Sequence, residues 1–341
     1  MLGRARALVG PALRRAVGAL SPELRPLAEY HLGWRDAGGL PAGGDGGKGI
    51  RPALALLSGE AAGAASHVAV PGAVAVELVH NYSLIHDDVI DEDAERRHRP
   101  TLWVLYGVGR AIIVGDAMVA LAQRVVLSPV ETGVCDEAPF GPEHAARGAR
   151  CIADATAAMI AGQALDMAYE SIPAVDVIDC MQMEAGKTGA LLGCAAAIGA
   201  ILAGAPDKTA AALSSYGLEL GLAFQAVDDL LGIWGDPVTT GKPAWSDLRQ
   251  HKKTLPVVAA LSSGTARAEE LAALLGREHL SEDETGRAAA LVEQCGGRAM
   301  AVEEAGRRLD SALAALAGAD LAPRAAEELA DIARFVVERE Y

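Results

Sequence analysis

The chain has 341 residues, 51% hydrophobic and 22% charged, which is long and apolar enough to enclose a large core and excludes a disordered protein. Thirty Lys and Arg stand against 45 Asp and Glu, and the net charge of −15 argues against nucleic-acid binding or adhesion to anionic membranes. Five cysteines, at positions 135, 151, 180, 194 and 295, form no Cys-Xaa-Xaa-Cys pair, so neither a zinc site nor a disulfide framework is suggested and a reducing, cytoplasmic compartment fits.

In chain order, the first 20 residues are apolar but broken by Arg4, Arg6, Arg14 and Arg15. This pattern suits an amphipathic helical arm, although an organelle-targeting peptide shares it, and lacks the apolar core of a secretory signal. Residues 1–35 are read as that arm and residues 36–341 as one continuous helical domain. Apolar residues recur three and four apart, as at Leu78, Tyr82 and Ile85 or Leu220, Phe224, Val227 and Leu231, whereas alternating strand patterns are scarce. With 4% aromatic residues and abundant alanine, the expected fold is all-α, a helical bundle of about ten or more helices around a central cavity. Breaks are expected at Gly38 to Gly49, Ser128 to Gly148, Ser171 to Ala174, Gly235 to Ala244 and Ser262 to Thr265. Thr188 to Pro206 runs 19 residues without a charge, yet it is dominated by Ala and Gly without an aromatic belt, so a buried helix is expected rather than a membrane span. From Ala266 onward the pattern is of amphipathic helices broken at Gly296-Gly297 and Pro323.

The sharpest chemical signal lies between His80 and Trp103, in HNYSLIHDDVIDEDAERRHRPTLW. On a helix Asp91 is one turn from both Asp87 and Asp88, so the three carboxylates project together. Hard oxygen donors of this kind suit Mg²⁺, which completes its shell with water and substrate phosphates. A second acidic pair, Asp228 and Asp229, ends another apolar run, and Lys242, Lys252 and Lys253 follow within 25 residues. Two acidic helix ends with lysines describe a diphosphate clamp, expected to face one another across an apolar pocket. The glycine-rich stretch GGDGGKGIRP supplies Lys48 and Arg51 for an anion. It is not a nucleotide P-loop, because Ala42 and Gly49 stand where that motif needs glycine and a hydroxyl.

Taken together these motifs resemble the trans-isoprenyl diphosphate synthase, or polyprenyl synthetase, family. Asp87, Asp88 and Asp91 match its first aspartate-rich motif and Arg96 and Arg97 the trailing arginine pair; Gly47, Lys48, Arg51 and Pro52 match its Gly-Lys-Xaa-Xaa-Arg-Pro element. His80, Gly162, Gln163, Asp166, Lys187, Thr188, Phe224, Gln225, Asp228, Asp229, Lys242, Asp247 and Lys252 fall on further family positions in order. Gly232 replaces the last aspartate of the second motif, and Gly49 an arginine of the basic element.

The resemblance implies ionisation of an allylic diphosphate with three Mg²⁺ bound, attack by the double bond of isopentenyl diphosphate and loss of a proton. It assigns Asp87, Asp88, Asp91 and Asp228 to metal, with Asp229 and Asp166 beside them. Arg96, Lys187 and Lys242 fall to the allylic diphosphate, and Lys48, Arg51, His80 and Arg97 to isopentenyl diphosphate. Gln225, Thr188 and Lys252 are supporting substrate contacts; His86 and His98 are structural. An aromatic at Tyr82, with no insertion in the first motif, resembles one type of geranylgeranyl diphosphate synthase and implies a C20 product, with C15 next. Two rivals share the scaffold: a class I terpene cyclase, which needs no isopentenyl diphosphate site, and a non-catalytic partner subunit of such a synthase. Family members are commonly homodimers.

Overall fold

The protein is described from a computed structural model, which covers residues 1–44, 49–172, 174–236, 244–277 and 279–338. Helices dominate: α1 (Leu2–Gly18), α2 (Arg25–His31), α3 (Ile50–Ala61), α4 (Ser66–Ile90), α5 (Leu102–Tyr106), α6 (Val108–Leu127), α7 (Pro142–Ser171), α8 (Val177–Glu184), α9 (Ala190–Leu202) and α10 (Asp207–Trp234). Further helices span Ser246–Arg249, Leu255–Leu261, Ala266–Leu275, Glu282–Gln294, Gly297–Ala317 and Pro323–Val337. The all-α expectation holds, with one addition: a two-stranded antiparallel hairpin pairs β1 (Glu95–Arg96) with β2 (Arg99–Pro100). By packing, the chain divides into two compact units, one of 1–156, 194–214 and 319–329, the other of 157–193, 215–318 and 330–341.

In the first unit α4 packs against both α3 and α6. Its middle is buried all round, from Ala69 to Val79, because apolar residues cover every face rather than one stripe. Helix α1 buries Ala5, Val9, Ala12, Leu13, Ala16 and Val17, the one-sided pattern that its arginines allow. In the second unit two apolar clusters form, one around Leu248, Val257, Leu271 and Leu291, the other around Val227, Leu230, Leu255 and Val258. Helix starts there are fixed by side chains: Thr265 accepts from the Ala268 N–H, and Ser281 and Glu284 form a reciprocal capping box.

The expected break at Ser128 to Gly148 runs too far. Helix α7 already begins at Pro142, and Gly148 lies within it because Leu202 and Val126 leave no room there for a side chain. The uncharged stretch becomes α9, entered through a π-helical turn, Ala185–Gly189, and its Leu191, Ala195, Ile198 and Leu202 are buried. Among the described residues two helical stretches, Ser66–Ile90 and Val177–Leu202, are long and apolar enough to cross a membrane, and most of the apolar window in each is buried within the protein. Cysteines distant in sequence also meet: the Sγ atoms of Cys151 and Cys194 are 3.3 Å apart as free thiols.

Since Leu78 is fully buried in α4, Leu78→Ala should cost about 2–5 kcal/mol through lost contacts and the cavity left behind, read as a lowered denaturant midpoint.

Candidate active site

Helix α4 carries two polar faces. At about 100° per residue, His80, Asp87 and Asp91 fall within about 40° of one another, whereas Glu77, Asn81 and Asp88 cluster on the adjacent face. Asp87 is half-buried and Asp91 exposed; Glu77, Asn81 and Asp88 are 8%, 1% and 2% exposed. The three aspartates therefore do not form one equivalent set. Asp88, read from the sequence as a metal ligand beside the other two, accepts from Arg96 Nε at 2.6 Å, in a pair whose carboxylate is buried. Burial pushes its carboxyl up and Arg96 pulls it back down.

The arginine pair is set by the hairpin. Arg97 and His98 form its two-residue turn with φ of 53° and 59°, a left-handed pair that hairpin turns require and that Asn-Gly supplies more readily. The strain of two bulky residues there is offset by what the turn delivers. Arg96 reaches Asp88, while Arg97 lies near enough to His80 and Glu77 to bias both electrostatically.

Beneath it lies a buried polar network that sequence reasoning missed in part. Arg51 Nη1 lies 3.3 Å from His80 Nε2; because a guanidinium only donates, His80 accepts there and carries its proton on Nδ1. Burial, followed by Arg51 and Arg97, lowers the His80 pKa and keeps the ring neutral. Glu77 accepts from the Asn81 amide at 3.0 Å; burial raises its carboxyl, opposed by Arg51. His31 is lowered to about 3, first by burial and then by Arg96 and Arg97. The signal for Glu77 and Asn81 was present as two polar residues inside an otherwise apolar helix. Arg51 Nε is buried with no partner among the described residues, which fits an anion arriving beside it. A cavity of about 220 Å³ opens next to these groups, lined by His31, Asp88, Arg96, Arg97 and Arg99. Lys48 and Gly47 lie outside the described residues.

Tyr82 is 9% exposed and packs edge-on against His86, ring centroids 4.7 Å apart. Burial raises its hydroxyl pKa, with smaller contributions from Asp116 and Asp87. His86 is structural as expected, its Nε2 3.1 Å from the Ile112 carbonyl oxygen.

In the second unit the π-turn carries Lys187 and Thr188, at a type of distortion often found in functional sites. It can lie against α7 only because residue 162 is glycine: a β-carbon there would stand 2.2 Å from the Lys187 nitrogen. That close approach joins the two sequence motifs, and Lys187 Nζ donates to Asp166. Thr188 Oγ1 donates to Gln225 Oε1 at 2.8 Å, Gln225 Nε2 to Asp229 Oδ1 at 2.7 Å, and the Leu255 N–H to Asp229 Oδ2 at 2.9 Å. Asp229 is thus a buried anchor, while its neighbour Asp228 is exposed. Burial pushes the Asp229 carboxyl up to about 7 against the pull of Gln225 and the Leu255 N–H. Glu184, buried behind it, is raised by the same desolvation and by Asp229 itself. Lys252 is exposed just beyond Ser246–Arg249; Lys242 lies outside the described residues.

The donor set fits Mg²⁺. Among the described residues no three acidic, histidine or cysteine side chains converge to hold an ion alone, but Mg²⁺ usually takes one or two carboxylates and leaves the rest to water and phosphate. Asp87 with Asp91, and Asp228, offer that arrangement.

A carboxyl that keeps its proton when folded, but releases it near 3.8 when unfolded, favours the folded state at low pH and loses that advantage as pH rises. Stability of the metal-free chain should therefore fall between about pH 4 and 7, by at most about 1.4 kcal/mol per pH unit from this group. Urea unfolding across that range should show a flatter slope in Asp229→Asn; an unchanged slope would refute the assignment.

Three comparisons bear on this arrangement. Residues 43–292 match the profile of the polyprenyl synthetase family. A (2E,6E)-farnesyl diphosphate synthase of Mycobacterium tuberculosis is 46% identical over 100% of this chain and 93% of its own length. A geranylgeranyl diphosphate synthase of the same organism is 45% identical over the same shares. The crystal structure of a polyprenyl synthetase from Streptomyces coelicolor A3(2) superimposes with a TM-score of 0.91 at 51% identity, covering 98% of each chain. With ordered motifs, helical architecture and paired acidic sites all in agreement, the chain belongs to the polyprenyl synthetase family.

Proposed function

We propose that this protein is a Mg²⁺-dependent prenyltransferase that joins isopentenyl diphosphate to an allylic diphosphate, releasing pyrophosphate and forming a short-chain all-trans prenyl diphosphate. The observation that carries this reading is the shared face of α4, where His80 stands about two turns before Asp87 and about three before Asp91, with Arg51 against the histidine. One helix face thus offers an anion-binding end and a metal-binding end, as a two-diphosphate reaction requires.

Bound Mg²⁺, three ions in this proposal, would neutralise charge on the departing pyrophosphate, which is a poor leaving group in apolar surroundings. Asp87, Asp91 and Asp228 would hold it. Asp88 orients Arg96 toward the allylic diphosphate, and Asp229, fixed through Gln225 and Thr188, orients Asp228. Lys187 exchanges its partner Asp166 for phosphate oxygen, supported by Lys242 and Lys252. Arg51, Arg97, neutral His80 and Lys48 receive the diphosphate of isopentenyl diphosphate. The apolar helical interior excludes water, so the cation formed on ionisation meets the alkene.

We assign the catalytic domain to residues 36–341, with 1–35 as its arm. Exposed Val104, Leu105, Val108, Ile112 and Ile113 support a homodimer, and five free thiols a cytoplasmic setting. Relatives at nearly equal identity make C15 and C20 products by name, so chain length rests on Tyr82. A bulky buried ring on α4 behind the aspartates supports a C20 product, with C15 next.

Purified protein with Mg²⁺ should convert an allylic diphosphate plus isopentenyl diphosphate to a longer prenyl diphosphate by mass spectrometry, and chelation should abolish this. A hydrocarbon from the allylic substrate alone would point to a cyclase, and activity only with an added partner to an accessory subunit. Asp87→Ala should lower kcat by about 10²-fold or more, the scale of losing one charge-stabilising group. Tyr82→Ala should shift the product distribution toward longer chains; an unchanged distribution removes Tyr82 as the determinant.

A further inference from the structure

Cys151 on α7 and Cys194 on α9 are 43 positions apart in sequence, yet their Sγ atoms stand 3.3 Å from one another inside the first unit. Helix packing makes this pair, not a sequence motif. The two helices run close together: at Gly148, one turn before Cys151, a β-carbon would stand 2.8 Å from Leu202 Cδ2 at the end of α9. Since disulfide sulfurs are about 2.05 Å apart, these two have only about 1.3 Å left to close, a distance that small side-chain rotations cover.

The two thiols differ as an attacking and a resolving cysteine must. Cys151 is half-buried and open to a small reagent, whereas Cys194 is 3% exposed. By bonding to it, the Cys194 S–H draws the Cys151 thiol below its ordinary value against burial and Asp154; the same bond, with burial, pushes Cys194 up. The thiolate is the reactive form, so Cys151 meets an oxidant first. Other thiols have other neighbours. Cys180 is fully buried against Glu184 and the Lys253 carbonyl oxygen, with its thiol pushed up by that burial, and Cys295 meets Thr265.

We infer that Cys151 and Cys194 form a reversible redox-modification site, at which hydrogen peroxide joins them as a disulfide that staples α7 to α9. The Cys151 thiolate displaces hydroxide from the peroxide and becomes a sulfenic acid. The Cys194 sulfur then attacks that sulfur, its proton leaves with the sulfenic oxygen as water, and the S–S bond forms. The hydroxide takes up the proton that Cys151 released, so two thiols and one peroxide give one disulfide and two waters. A dithiol reverses the bond by exchange. The bridge ties the ends of a stretch that holds the second half of α7, α8 and the π-turn, and closing so long a loop restricts the unfolded chain and stabilises the fold. A transient bridge of this kind is the form that disulfides take in a reducing compartment. The inference stands on helix packing and is independent of the prenyltransferase reading.

In the test, reduced protein freed of reductant is treated with a few equivalents of hydrogen peroxide, and remaining thiols are alkylated under denaturing conditions. Unreduced peptides are then mapped by mass spectrometry, and the melting temperature is recorded before and after oxidation. Wild type should yield a linked peptide pair containing Cys151 and Cys194, lost on treatment with dithiothreitol, while Cys135, Cys180 and Cys295 are recovered alkylated. Cys194→Ser should stop at the Cys151 sulfenic acid, trapped by dimedone, and Cys151→Ser should leave Cys194 reduced. Oxidised wild type should melt about 3 °C or more above the reduced protein, a shift that neither variant shows. Three results would overturn the inference: both thiols recovered alkylated at a peroxide dose that oxidises free cysteine, a bridge to another cysteine instead, or an oxidised protein that melts no higher than the reduced one. The wild-type map and melting shift decide even where a variant does not fold.

Discussion

A carboxylate placed in a helical interior must be met by a donor or give up its charge, and the arrangement of this protein's polar groups follows from that constraint. In the first unit the answer is arginine. Asp88 is held by Arg96, and Glu77 by Asn81 with Arg51 nearby. In the second unit the answer is an amide, a backbone N–H and a retained proton: Asp229 takes bonds from Gln225 and Leu255, and its carboxyl still stays high. Two of the buried acids sit next to more accessible ones, Asp88 beside Asp87 and Asp229 beside Asp228. The buried member is held by its donors, whereas its neighbour keeps access to solvent.

Two local distortions serve the same end. The left-handed Arg97-His98 turn reverses the chain within two residues of the arginine that Asp88 needs, and a straight continuation of α4 would carry Arg96 away from it. The π-turn adds a residue to the helical repeat at Lys187 and Thr188, aiming one toward Asp166 and the other toward Gln225. Both distortions cost conformational energy and both carry cationic or hydroxyl groups, which is the association expected where geometry is fixed for binding.

The helices were legible because their apolar spacing repeats over many turns, and α9 because it is apolar on all sides. The hairpin was not, since two-residue strands built of Glu, Arg and Pro leave no alternation and Arg-His carries no turn signal. Gly148 misled because a glycine admitted for close packing looks the same in sequence as one that ends a helix. Within the site, residue types and order identified the participants but not their division of labour. Asp87, Asp88 and Asp91 are equivalent as letters, and only the angle between Asp88 and the other two, with the hairpin that brings Arg96 back, separates the face of Asp87 and Asp91 from the one paired with Arg96. Glu77 and Asn81 were open to view as polar residues in an apolar run, but their purpose depends on Arg51, which lies far away in sequence.

Tyr82 shows why chain length is the hardest property to read. Metal and diphosphate sites are specified by charge, which few residue types can supply, so their residues stand out. A limit on an apolar chain is specified by volume, which any bulky side chain can supply from any helix that reaches it. Tyr82 qualifies because its ring is buried, braced by His86, and turned far enough around α4 from Asp87 to leave the carboxylate face open. In the proposed reading such a ring would limit what lies behind the aspartates without taking part in the charge balance at their face, so that one fold could keep its chemistry while its product varies.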